Sequence, residues 1–95
     1  MPADLIEKTD RYEGMFADAL AAADVAVPAS TPLGEAAGEI REMALSYLED
    51  GRHFRENDDP VNALAAFSYG YGWLDAGVRM GLFEVPDETH LFTTE

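Results

Sequence analysis

Between Pro60 and Phe83 only Asp75 and Arg79 carry charge, and a carboxylate set among apolar neighbours is either paired or placed for use. Arg79 follows Asp75 by four residues, the spacing at which an ion pair closes along one helix face. The plainer reading is therefore a pair that holds packing or register. Ser68, Tyr69, Tyr71 and Trp73 add hydroxyl and N–H groups to the same stretch. Asp75, Arg79, Tyr69 and Ser68 thus make a candidate polar cluster, structural or ligand-binding, beside aromatic walls.

Asp50 and His53 stand three apart, the spacing by which one helix offers a carboxylate and an imidazole to a metal. They are weak candidates, because a bundle metal site wants a second such motif and His90, the other histidine, lies far along the chain. No metal and no cofactor is expected. A hydrolytic triad would need His53 or His90 to meet Ser30, Ser46 or Ser68 without an elbow motif to present the serine. No catalytic residue is assigned, and a non-enzyme is favoured. Cysteine is absent, which excludes disulfides, thiolate metal sites and a thiol nucleophile.

The chain has 95 residues, 47% of them apolar, and 19 acidic against 6 basic residues, a formal charge of -13. That size suits one domain with one core. Such charge repels a phosphate backbone, and the scattered arginines form no cluster able to neutralise several phosphates, so nucleic acid is excluded as a partner. The acidic residues are spread from Asp4 to Glu95 rather than gathered in one segment. An acidic surface nearly free of lysine suits a cytoplasm of molar salt, where screening removes self-repulsion. The opening Met1-Pro2-Ala3-Asp4 turns polar at once, so no signal peptide is expected and the cytoplasm is the default.

Three helical segments must position these side chains. The first is expected over 4–25, capped at Asp4 with Glu7 three residues on, carrying the stripe Leu5, Tyr12, Phe16, Ala19 and Ala23, and ended by Val25-Ala26-Val27-Pro28. The second is expected over 32–57, where Thr31 caps and Pro32 takes the first turn. Its stripe is Leu33, Ala37, Ile40, Ala44, Tyr47, Leu48, Gly51 and Phe54. Asn57-Asp58-Asp59-Pro60 repeats the cap-and-proline device and opens a third helix over 60–81, so the second and third should form an antiparallel hairpin. No convincing strand is present. Residues 1–83 form the expected domain and 84–95 an irregular tail.

The third helix is apolar nearly all round. One row is Ala63, Phe67, Gly70, Leu74, Gly77 and Gly81; a second is Leu64, Tyr71, Val78 and Leu82; a third is Ala66, Tyr69, Trp73, Ala76 and Met80. Two partner helices in so small a body cannot cover all three. The uncharged run from Val61 to Leu74 falls short of the roughly 20 residues a membrane span needs, so no membrane partner is expected. Gly70, Gly72, Gly77 and Gly81 each weaken a helix by up to about 1 kcal/mol relative to Ala, which close helix contact or a ligand would offset.

Gly51, Phe54, Ala63, Phe67 and Gly70 fall at the intervals where a tetratricopeptide hairpin alternates small and large packing residues, though only once rather than in an array. Tyr47-Leu48-Glu49-Asp50, Phe54 and the run from Asn62 to Gly81, above all Ser68 to Gly81, resemble DUF357, a family of small archaeal helical proteins of unknown function. The resemblance spans about residues 40–83 and implies a compact helical bundle without an assigned reaction. An archaeal, salt-loving source fits it. The expected fold is all-α, a three-helix up-down bundle with a tetratricopeptide-like hairpin of helices two and three. The expected function is a non-enzymatic, self-associating interaction module, as a dimer or with a protein partner, through Gly70, Trp73, Gly77 and Met80. The alternative is a ligand-binding protein or small enzyme using a cleft around Asp75 and Arg79.

Overall fold

The computed structural model describes residues 2–85, with side chains from Asp4 onward. In chain order these form α1 (Pro2–Ala22), β1 (Asp24–Val25), α2 (Pro32–Glu56), α3 (Pro60–Arg79) and β2 (Phe83–Glu84). α1 therefore begins two residues before the expected Asp4 cap and stops at Ala22, short of 25. The tail expected over 84–95 is described only at Glu84 and Val85, and Glu84 is in a strand; the rest of it lies outside the described residues.

The two joints are built by local chemistry. Thr31 has extended backbone angles, and its Oγ1 accepts from Gly34 N at 3.1 Å while Pro32 occupies the first turn. At the end of α2, Asp58 takes the left-handed conformation at φ 58°. Asp59 N then donates to Phe54 O and Asp58 N to Arg55 O, the paired bonds of a Schellman stop. Asp59 at once caps α3, accepting from Asn62 N at 3.2 Å. α3 ends the same way: Gly81 at φ 80° lets Leu82 N reach Gly77 O and Gly81 N reach Val78 O.

α2 and α3 run antiparallel and pack most closely. Ideal Cβ atoms built at Gly51, Gly70 and Gly77 would meet Phe67, Phe16 with Tyr47, and Phe83 respectively, so each glycine lets a large side chain lie against a helix backbone. α1 lies parallel to α3, with the Phe16 and Tyr71 rings 6.0 Å apart. Phe16, Phe67 and Leu74 are completely buried at the centre, with Ala19, Ala23, Ala37, Ala44 and Ala63 at the close approaches. Leu33, expected on the inner stripe of α2, is exposed.

β1 and β2 correct the expectation of no strand. They pair antiparallel, Asp24 with Glu84 and Val25 with Phe83, and Ala26 N extends the ladder to Leu82 O. The exit of α1 is thereby fastened to the exit of α3. Arg41 on α2 closes the corner, donating from Nη2 to Ala23 O and placing its guanidinium 5.7 Å from the Phe83 ring centroid.

Candidate interaction surface

With α1 and α2 packed against it, α3 still presents a face to solvent. The row Ala63, Phe67, Gly70, Leu74 and Gly77 is buried, and Leu64, Tyr71 and Val78 are half-buried towards the other helices. The third row, apart from Ala66, is exposed: Tyr69, Trp73, Ala76 and Met80, joined along the helix by Val61, Ala65, Ser68 and Gly72. Ser68, Tyr69, Gly72, Trp73 and Ala76 line a shallow depression. Tyr69 is held in place there by stacking on Tyr47 of α2, with ring centroids 6.0 Å apart.

Gly72 differs in kind from its neighbours. A Cβ at Gly70 or Gly77 would strike an aromatic ring of the same chain, whereas one at Gly72 would meet nothing within 4 Å. Gly14 of α1 and Gly38 of α2 are open in the same way, so the close packing that accounts for Gly70 and Gly77 accounts for none of these three. Of the four residues expected at an interface, Trp73 and Met80 are exposed and Gly70 and Gly77 are buried. The close approach those two glycines permit is made inside the chain.

The expected polar cluster is divided. Ser68 and Tyr69 belong to the exposed face, whereas Asp75 is half-buried and its Oδ2 lies 3.4 Å from Arg79 Nε one turn on. Such partly exposed pairs contribute at most about 1 kcal/mol. Oδ1 of Asp75 is buried without a hydrogen-bond partner among the described residues. Burial first, and the nearby Asp75 charge second, push the Tyr71 phenol above its ordinary range. Asp50 and His53 are both exposed, and His90 lies outside the described residues. No three His, Cys, Asp or Glu side chains among the described residues are grouped to hold a metal ion.

Two features had no clear sequence signal. Glu13 of α1 receives Arg52 Nε at 2.7 Å and Arg55 Nη1 at 2.5 Å, and Arg55 also reaches Asp10 at 3.2 Å. Burial raises the Glu13 carboxyl, but the hydrogen bonds and charges of the two arginines outweigh it and hold its pKa below the ordinary value. A cleft of about 410 Å³ opens nearby, lined by Ile6, Thr9, Arg55, Asp58 and Pro60. Its arginine is already neutralised by Glu13 and Asp10, which leaves it little capacity for an anion.

These observations define an all-α three-helix protein whose last helix keeps a largely apolar face open. A family model described as protein of unknown function (DUF357) matches residues 11–83, and the chain belongs to that family. No curated protein and no solved structure matches it. The match reaches back from α2 and α3 to include most of α1. No helix among the described residues is long and apolar enough to cross a membrane.

Proposed function

We propose that this protein is a non-enzymatic interaction module that associates with itself, most simply as a dimer, through the outer face of α3. The carrying observation is the continuous exposed stripe from Val61 through Tyr69 and Trp73 to Met80. Exposed apolar patches of this kind mark contact surfaces. The charge of the molecule narrows the partner. A basic partner would settle where the acidic residues of a chain at -13 lie, whereas this strip carries no acidic residue from Val61 to Leu74. Two such chains approach with least repulsion where neither is charged.

Absolute mass by light scattering after size exclusion, over a range of protein concentrations in molar KCl, tests the reading. A dimer or larger assembly is expected. A monomer at the highest concentrations, with repulsion screened, would overturn it.

A further inference from the structure

The pattern of exposed positions along this face has a two-fold symmetry of its own. A point midway between positions 70 and 71 relates Val61 to Met80, Asn62 to Arg79, Ala65 to Ala76, Ser68 to Trp73 and Tyr69 to Gly72, all of them exposed. At 100° per residue these positions also fall symmetrically about one line down the helix. When two copies of a helix pack antiparallel about a two-fold axis, residues related in this way share a layer. We infer that two copies of this chain pair α3 against α3 antiparallel, with the axis crossing between positions 70 and 71. This rests on the self-association proposed above and assigns its register.

In that register the two exposed aromatic side chains each meet a small residue, while Val61 and Met80 meet each other at the ends. Tyr69 enters the gap left by Gly72 of the other copy, where no side chain of its own fold lies within 4 Å. Trp73 lies over Ser68, and Ala65 with Ala76 lets the backbones approach closely. Stacking on Tyr47 already orders Tyr69, so less freedom is lost on docking. At the ends, Arg79, which pairs with Asp75 of its own helix, comes beside Asn62 and therefore near Asp58 and Asp59 at the start of the other copy's helix. In the opposite, parallel arrangement Arg79 would meet Arg79.

Area sets how strong the contact can be. Val61, Tyr69, Trp73 and Met80 are 64%, 66%, 45% and 74% exposed. With aromatic side chains offering about 150–250 Å² each, the whole face amounts to roughly 500–600 Å² per copy. A standard interface takes about 800 Å² per partner. The contact is thus of the size of a reversible dimer, one whose strength rises with salt as repulsion between the acidic copies is screened.

The absence of native cysteine permits a direct test with a short bis-maleimide crosslinker in molar KCl. Val61 and Met80 are separated by about 28 Å along the helix, so Val61→Cys alone and Met80→Cys alone should stay uncrosslinked while their mixture yields covalent dimer. Gly72→Cys, close to the axis, should crosslink by itself. Gly72→Leu should weaken the dimer at least tenfold, with the helical circular dichroism retained. Crosslinking of Val61→Cys alone, or an unchanged dissociation constant for Gly72→Leu, in a protein that light scattering shows to be dimeric would overturn this register and leave self-association standing. A monomeric unmodified protein would overturn both.

Discussion

Two glycines show how differently the same residue is used. Gly51 gives up its side chain so that Phe67 can press on α2, while Gly72 faces open solvent. Alanine substitution should therefore act with opposite sign at the two sites. Gly51→Ala inserts a methyl group into a filled space and is expected to lower stability by about 1–3 kcal/mol. Gly72→Ala removes a helix-weakening residue without a clash and is expected to raise monomer stability by up to about 1 kcal/mol. Urea denaturation in molar KCl at low protein concentration measures both. Destabilisation by Gly72→Ala would mean that its surroundings within the monomer are not open.

At the level of elements, α1 is held to the hairpin by three different ties. Phe16 anchors it to α3, the β1–β2 ladder fastens its exit, and Glu13 clamps its outer side to Arg52 and Arg55 of α2. The Glu13 carboxyl is held below its ordinary pKa in the folded chain, so the folded state binds its proton less tightly than the unfolded one. Its contribution is present above the unfolded value, about 4.3, and is lost as pH falls through the lower folded value. Glu13→Gln should consequently melt earlier than the parent near neutrality. The difference in melting temperature should shrink on acidification below about pH 4. A gap that stays constant through the acid range would show that the clamp does not depend on this charge.

For the molecule as a whole, net charge sets the terms. A chain of this size with 19 acidic and 6 basic residues repels itself in dilute buffer, where the Debye length is about 10 Å at 0.1 M, and far less at 1 M, where it is about 3 Å. The melting temperature should rise steadily from dilute to molar KCl, followed by circular dichroism at fixed pH. A flat or falling profile would show that self-repulsion does not limit the fold. The proposed dimer places its contact on the largely apolar strip of an otherwise acidic body, so folding and association should gain from the same screening.

The features legible in the sequence were those whose causes are local. Thr31-Pro32 and Asp59-Pro60 announce helix starts because a cap oxygen and a proline without an N–H act within one turn. The buried rows of α2 and α3, and their hairpin, followed from apolar spacing and a short joint. Features made by distant residues were not legible. The β1–β2 ladder depends on a partner strand near the far end of the domain, and the Glu13 clamp on arginines of another helix. Gly70 and Gly72 are alike in sequence and two residues apart, yet one lies under Phe16 and Tyr47 and the other meets nothing. That α3 has more apolar surface than two helices can cover is evident from its residues alone, because that is a matter of counting rows on a helix. Which row stays outside is set by the packing of the whole chain, because it depends on the angle at which α1 and α2 approach α3.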